Sequence, residues 1–152
     1  MKSLEIARMF DQMANVLEFQ GELFFKVNAY RKASRSLREL DRDLTAIWQA
    51  GELEQIPGIG VGLAKKIDEY LRTGRMSKYD EVLSLLPASL RELLNIPGLT
   101  PKILALAHRQ LGVTTLTDLK AVIENGKLTA LSGVGEQKTQ DILAGIRLFE
   151  QL

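Results

Sequence analysis

The sequence contains no cysteine and a single histidine, His108. Disulfide frameworks, cysteine-ligated metal sites and the usual histidine-rich zinc sites are therefore excluded. Long hydrophobic runs are also absent, since the longest stretch without a charged residue is 55–64 and includes Pro57 and three glycines. A membrane-spanning helix needs about 20 apolar residues, so we expect no membrane partner and a cytoplasmic protein.

A strong net charge is absent as well, because 20 basic side chains are balanced by 19 acidic ones. The distribution is nevertheless uneven. Residues 26–38 contain five basic residues and no acid, whereas residues 41–56 contain four acids and one arginine. The first segment, which we call the basic run, is typical of a surface that binds phosphates, although the net charge alone does not indicate nucleic acid.

Apolar residues recur at three- and four-residue steps along most of the chain, which is the period of an amphipathic helix. No convincing alternation typical of strands is present, so we predict an all-α fold. The first helix is predicted from the cap Ser3 to Gly21, and the second from the cap Asn28 to about Leu40. Further helical segments are predicted at about 44–49, 53–55, from the 56–60 turn to Thr73, at 78–86, 88–95, from Pro101, at 115–124 and from Glu136 to the C-terminus.

A short turn pattern occurs three times, each time directly before a predicted helix: IPGIG at 56–60, IPGLT at 96–100 and LSGVG at 131–135. Glycine allows positive φ and close approach of another backbone. The first turn of the following helix has unpaired N–H groups at the positive end of its dipole, so phosphate is the expected ligand. The alternative is a tight turn between packed helices with no ligand. In either case the middle apolar residues are expected to anchor the turns in the core: Ile59, Leu99 and Val134.

The repeated pattern resembles the helix-hairpin-helix motif of proteins that bind DNA without sequence specificity. The order of segments is similar to that in family X DNA polymerases. VNAYRKASRSL followed by IPGIGVGLAKKIDEYLRTGRMSKYDE resembles their N-terminal lyase domain. LLNIPGLTPKILALAHRQLGVTTLTDLKAVIENGKLTALSGVGEQKTQDIL resembles the neighbouring helix-hairpin-helix subdomain, especially in the bacterial branch. The resemblance implies two small helical units built on these motifs, about residues 1–80 and 81–152.

The palm domain of these polymerases, with its Gly-Ser and its Asp-x-Asp metal pair, has no counterpart in the sequence. No Gly-Ser dipeptide is present, and the one Asp-x-Asp, Asp41-Arg42-Asp43, is expected to cap a helix that begins at Leu44. We therefore expect no nucleotide transfer by the sequence as given. It stays open whether the sequence is part of a longer enzyme or free-standing.

The resemblance implies a catalytic role for Lys66. In the family, a lysine at the matching position attacks the aldehyde of a 5′-deoxyribose phosphate and forms a Schiff base. Helical spacing independently distinguishes it from its neighbour, because Lys66 borders an apolar stripe and Lys65 points nearly opposite. The stripe consists of Leu63, Ile67, Tyr70 and Leu71.

Two opposing effects on the pKa of Lys66 are expected. Partial burial lowers it, whereas Glu69, three residues further along the helix, raises it. Two departures from the family pattern concern the sugar pocket: Lys65 stands where the family has an acid, and Gly62 stands where a basic residue is frequent. The alternative is that Lys66 lies along the core edge and only contacts a phosphate.

The basic run is the second candidate surface. Arg31, Arg35 and Arg38 share one helical stripe, so we predict that all three face outward and bind backbone phosphates. The opposite stripe is predicted to be buried: Ala29, Ala33, Leu37 and Leu40. By resemblance, Lys26 binds a 5′-phosphate, Tyr30 lines the lyase pocket, and Phe25 stacks on a template base. The alternative is a solvated charged face.

The remaining DNA contacts are predicted at the three turns and the helices that follow them: Gly58, Gly60, Gly62, Lys65, Gly98, Thr100, Lys102, Gly133, Gly135, Gln137 and Lys138. Thr100 replaces the second glycine of the middle turn, and its hydroxyl is expected to cap the next helix. The resemblance further implies K+ or Na+ bound by backbone carbonyls, with no other cofactor required. The carbonyls are those of Glu54, Ile56 and Ile59 in the first hairpin and of Leu94, Ile96 and Leu99 in the second.

These observations predict sequence-independent binding of gapped or nicked DNA in repair, with other repair proteins as further partners. One alternative is a deoxyribose-phosphate lyase that uses Lys66. Another is a protein-interaction module, since similar helical folds dock proteins without DNA. The basic run and the glycine-rich turns argue against the module, whereas the near-zero net charge leaves it open.

Overall fold

The computed structural model describes residues 2–152. Within that range the chain forms ten α-helices, one short 3-10 helix and no strand, which confirms the predicted all-α fold. Within residues 2–152, none of the helices combines the length and the apolar composition that a membrane span requires. The chain divides into two compact units, Met1–Leu85 and Leu86–Leu152.

The first unit is organised around its N-terminal helix. Its elements are α1 (Lys2–Phe19), α2 (Phe24–Arg38), α3 (Leu44–Gln49), the 3-10 helix Leu53–Gln55, α4 (Val61–Thr73) and α5 (Ser77–Leu83). Helix α1 packs along α2 and also contacts α3 and α5. The largest fully buried side chains come from four of these helices and from the residue before α5: Ile6, Phe10, Met13, Leu37, Leu44, Ile67 and Met76.

Helix α2 begins earlier than the sequence predicts. Asn28 lies inside the helix and does not cap it, because α2 begins at Phe24 after Leu23, without a side-chain cap. The carbonyl of Leu23 accepts hydrogen bonds from the N–H groups of Lys26 and Val27, and the Val27 side chain is buried. Burial of an apolar residue therefore extends the helix past a favourable capping residue, since packing outweighs the capping preference.

The second unit is built on short helices and one long C-terminal helix. Its elements are α6 (Ala88–Leu93), α7 (Pro101–Leu111), α8 (Leu116–Glu124), α9 (Lys127–Ala130) and α10 (Gly135–Glu150). Helix α7 begins at Pro101 as predicted, and the Thr100 hydroxyl caps it by accepting a hydrogen bond from Ile103 N–H at 3.2 Å. The sequence did not predict α9, whose four residues follow Gly126 and place Leu128 in the core.

The 96–100 turn lies directly against α10. A Cβ atom on Gly145 of α10 would lie 1.7 Å from the carbonyl oxygen of Pro97, so only glycine fits there. Gly98 has a φ of +84° and, on its Cβ side, faces the carbonyl oxygen of Asp141 at 3.0 Å. The absence of side chains at these two glycines therefore allows direct backbone contact between the turn and the helix.

Candidate nucleic-acid interface

The 56–60 turn has the geometry predicted for a phosphate-binding hairpin. Ile56 and Ile59 are buried, and the N–H of Ile59 donates to the carbonyl of Ile56 at 3.0 Å. Gly58 adopts a φ of +80°, the left-handed region that favours glycine. Helix α4 follows immediately, and no side chain caps its first turn at Gly60. Residues 60–62 are exposed, so the first N–H groups of α4 lie at the surface at the positive end of the helix dipole.

Lys32 of α2 lies against this turn, and the sequence reasoning missed it. A Cβ on Gly58 would meet the Lys32 side chain at Cγ (3.1 Å), Cδ (3.3 Å) and Cε (3.4 Å). The aliphatic part of Lys32 thus passes over the glycine, which brings the basic run to the first hairpin. Lys32 is outside the arginine stripe, and the contact joins two distant segments, so no local sequence signal indicated it.

Two of the three predicted arginines are paired with α1. The guanidinium of Arg31 donates to Glu18 at 2.9 Å and to Asn15 at 3.2 Å. The guanidinium of Arg38 donates to Asp11 at 2.7 Å. Arg35 is exposed and forms no ion pair with any residue in the described range. The prediction that all three arginines face outward was therefore wrong for Arg31, which is half-buried. Arg38 is exposed as predicted, but the sequence did not indicate its pairing with Asp11.

The cause is the face that α2 buries. Its buried residues are Val27, Tyr30, Ala33, Ser34 and Leu37, whereas Ala29 is exposed, contrary to prediction. The buried stripe is therefore rotated toward Arg31 and Arg38, which now flank it. Long arginine side chains at such a boundary reach the acids of the neighbouring helix.

The aromatic residues of α2 lie in different environments. Phe25 is exposed over 66% of its surface, as stacking on a base requires, and its neighbour Phe24 is exposed over 77%. Tyr30 is buried against Phe10, with ring centroids 5.5 Å apart. Burial raises the pKa of Tyr30, and the Glu81 carboxylate raises it further. Lys26 is exposed and lies 3.7 Å from Glu22.

Lys66 is half-buried and Lys65 is exposed, as the helical spacing predicted. Partial burial lowers the pKa of Lys66, and the nearby positive charge of Lys78 lowers it further. The Lys66 ammonium donates to the carbonyl oxygen of Gly62 at 3.5 Å. Lys78 of α5 is a second residue that the sequence reasoning missed, because it comes from a different helix.

The expected effect of Glu69 on Lys66 was wrong. The Glu69 carboxylate accepts hydrogen bonds from both the N–H and the hydroxyl of Ser77 at the start of α5. These bonds lower the pKa of Glu69 itself and direct its charge toward α5. Partial burial and the charge of Lys78 are therefore the influences that favour the neutral form of the Lys66 amine.

The residues of the second and third hairpins are largely engaged within their own unit. Lys102 is exposed, and Gly98 lies against α10 as described above. In the third hairpin, the Lys138 ammonium donates to the carbonyl of Gly133 at 2.9 Å. Gln137 donates to the Asp141 carboxylate at 3.0 Å. DNA contacts by these residues stay predictions, and they require exchange of these internal partners for phosphate.

The carbonyls predicted to bind a monovalent cation belong to well-formed turns. The carbonyl of Ile56 accepts from Ile59, and that of Ile96 accepts from Leu99 at 3.2 Å. Each carbonyl oxygen has a second lone pair, so these groups fit one further contact with a hard cation. Clusters of acids and histidine able to hold a metal ion are absent from residues 2–152.

Comparison with protein-family models matches both halves of the chain. A helix-hairpin-helix domain matches residues 1–76, which is half of the chain and contains the 56–60 hairpin. A SAM-like helix-hairpin-helix tandem matches residues 90–148, which contain the other two hairpins. The chain belongs to the helix-hairpin-helix family.

The chain is similar to part of two DNA polymerases and of a DNA nucleotidylexotransferase. DNA polymerase/3'-5' exonuclease PolX of Bacillus subtilis (strain 168) is 32% identical over 96% of this chain and 25% of its own length. DNA polymerase lambda of Rattus norvegicus is 26% identical over 93% of this chain and 23% of its own length. DNA nucleotidylexotransferase of Ambystoma mexicanum is 29% identical over 80% of this chain and 23% of its own length.

The chain spans about a quarter of the length of these relatives. The resemblance to the helix-hairpin-helix region of family X polymerases, inferred from the turn pattern and the order of segments, is confirmed.

Proposed function

We propose that this chain binds gapped or nicked duplex DNA without sequence specificity, in a repair context. The observation that supports this best is the first hairpin, where the Lys32 side chain contacts Gly58 and an uncapped, exposed helix start follows two residues later. Backbone N–H groups and a lysine together suit a phosphate of the DNA backbone, and they read no base edge. Arg35 and the exposed ring of Phe25 extend the same surface along α2.

The two arginine environments make this proposal testable. We expect Arg35→Ala to weaken binding to a gapped duplex several-fold and to reduce the log–log salt slope by about 0.9, the value for one lost phosphate contact. Arg31→Ala is the matched substitution of a paired arginine and should cause a smaller loss of affinity. Fluorescence anisotropy with a labelled duplex carrying a one-nucleotide gap, repeated over a salt series, measures both quantities.

Binding that is insensitive to salt in the unmodified protein contradicts the proposal and favours the protein-interaction alternative. Equal effects of Arg31→Ala and Arg35→Ala show instead that DNA displaces the Glu18 pairing. An intact duplex and a nicked duplex are titrated in parallel, because tighter binding to the gapped or nicked DNA is what distinguishes a repair-related preference from general DNA binding.

A second candidate function is removal of a 5′-deoxyribose phosphate, favoured by the lowered pKa of the half-buried Lys66. The neutral amine adds to the C1′ aldehyde and loses water to give an imine. Loss of a C2′ proton then breaks the C3′–O bond, which leaves a 5′-phosphate on the DNA. Hydrolysis of the imine releases the sugar and regenerates the amine.

The positive charge of Lys78 lowers the pH at which the Lys66 amine becomes neutral, so removing that charge should change the pH dependence of the reaction in a predictable direction. Lys78→Ala removes a neighbouring cation, so the pKa of Lys66 rises and less of its amine is neutral at a given pH. We expect the pH profile of borohydride trapping to move to higher pH in this variant. Lys65→Ala is the control, because it also removes a lysine from α4 but at an exposed position. An unmoved profile in Lys78→Ala contradicts this account of the pKa.

A monovalent cation at the hairpin carbonyls is part of the same proposal. K+ or Na+ at the carbonyls of Glu54, Ile56 and Ile59 stabilises the turn and places a positive charge near the phosphate. The carbonyls of Leu94, Ile96 and Leu99 are the corresponding set in the second hairpin. We also propose other repair proteins as further partners, because the chain is similar to part of two DNA polymerases.

A further inference from the structure

The basic run is partly neutralised by acids of α1 and of the segment that joins α1 to α2. We propose that Asp11 and Glu18 compete with DNA phosphates for Arg38 and Arg31, and so set the affinity of this surface for any DNA. This inference rests on the proposed DNA-binding function. In this proposal the acids of α1 limit the binding of DNA, whereas the hairpins and the lysines promote it.

The Arg38 pair is accessible but occupied. Its Nη2 atom lies 2.7 Å from Asp11, and its Nε donates to the Ser34 hydroxyl at 3.3 Å. The two side chains of the ion pair are exposed over 41% and 39% of their surfaces. The Nε–Nη2 edge of a guanidinium is one of those that bind a phosphate through two parallel hydrogen bonds. That edge of Arg38 is already used within the protein.

The Arg31 pair is more buried. Its Nη2 atom contacts Glu18 at 2.9 Å and Asn15 at 3.2 Å, and the Arg31 and Glu18 side chains are exposed over only 29% and 24%. A phosphate therefore has to replace a charge-assisted hydrogen bond that solvent screens less than the Arg38 pair. Arg31 should be the harder of the two arginines to recruit.

These pairings leave a small part of the basic run unneutralised. Lys26 lies 3.7 Å from Glu22, so three of the five cations face a carboxylate and, within residues 2–152, Lys32 and Arg35 do not. When protein cations neutralise DNA phosphates, they release the counterions held by the DNA, and this release favours binding. A cation that is already paired with an acid of its own protein contributes less to the release. The acids therefore reduce the part of the affinity for DNA that comes from charge alone.

Asp11→Asn tests the inference with little disturbance, because asparagine keeps an oxygen that accepts from Arg38 and removes the charge. We expect several-fold tighter binding to a gapped and to an intact duplex alike, since backbone phosphates are common to both. The salt slope should become steeper by up to about 0.9. Asp43→Asn is the matched control: it makes the same change in net charge at an exposed residue with no side-chain cap hydrogen bond.

A double-mutant comparison ties the gain to Arg38. When Arg38→Ala is combined with Asp11→Asn, the gain of affinity from Asp11→Asn should disappear. Arg38→Ala alone should therefore cost less affinity than the same substitution made in the Asp11→Asn variant. Glu18→Gln is the second variant and should act in the same direction through Arg31. Thermal unfolding of each variant is measured first, so that a change in binding is compared only among folded proteins.

The inference is overturned if Asp11→Asn and Asp43→Asn change affinity equally, because net charge alone then accounts for the effect. It is also overturned if both Asp11→Asn and Glu18→Gln weaken binding, since the acids then position the arginines for DNA. Failure of the proposed function has a different signature, namely no salt-dependent binding of the unmodified protein to any of the duplexes.

Discussion

Lys66→Ala is expected to abolish the covalent adduct that borohydride forms between the chain and a gapped duplex carrying a 5′-deoxyribose phosphate. The adduct yield should fall by about 100-fold or more, which is typical when a reacting group is removed. The reason is that Lys66 combines a half-buried amine with a lowered pKa, whereas Lys65 on the same helix is exposed. Adduct yield on a denaturing gel, with the labelled strand as reporter, is the measurement.

Lys66→Arg is the matched control, because it keeps the positive charge for DNA binding but supplies no amine that forms a Schiff base. It should bind the gapped duplex much as the unmodified protein does and give no adduct. An adduct that persists in Lys66→Ala assigns the nucleophile elsewhere, with Lys65 and Lys26 examined next. Salt-sensitive binding with no adduct in the unmodified protein leaves a binding module that lacks the lyase chemistry.

Gly145→Ala is expected to have the largest effect on stability. The new methyl carbon would lie 1.7 Å from the Pro97 carbonyl oxygen, so α10 and the 96–100 turn have to separate. Overpacking of this kind costs about 1–3 kcal/mol and sometimes more. Urea unfolding followed by circular dichroism should show a lower free energy of unfolding for the second unit.

Gly62→Ala is the control for this substitution. Gly62 is also a helical glycine, but nothing lies within 4 Å of the position that its Cβ would take. Alanine is a better helix former than glycine, so this variant should be neutral or stabilised by about 0.5–1 kcal/mol. Comparable stability of the two variants would contradict the close contact between Gly145 and Pro97.

Features local to one helix were the ones that the sequence predicted well. The start of α7 at Pro101, the Thr100 cap and the burial difference between Lys65 and Lys66 all follow from residues within a few positions of each other. The buried middle residues of the three turns followed from their repeated pattern. Helix α9 was missed, because four residues are too few to show a helical period.

Features that join different helices could not be predicted from spacing. The early start of α2 depends on burial of Val27, and the contact of Lys32 with Gly58 joins α2 to a distant turn. The pairing of Arg31 with Glu18 likewise depends on how α2 is rotated against α1. A helical wheel gives the angle between two residues of one helix, but it does not give the direction in which the neighbouring helix lies.

The backbone contact at Gly145 also determines how the second hairpin responds to a partner. Because only a hydrogen atom fits between Gly145 and the Pro97 carbonyl, the 96–100 turn cannot move further toward α10 unless the helix moves with it. The turn therefore cannot yield in that direction to a partner that presses on it. If the chain binds DNA as proposed, we expect the DNA backbone at this turn to adapt its own path, which a gap or a nick makes easier.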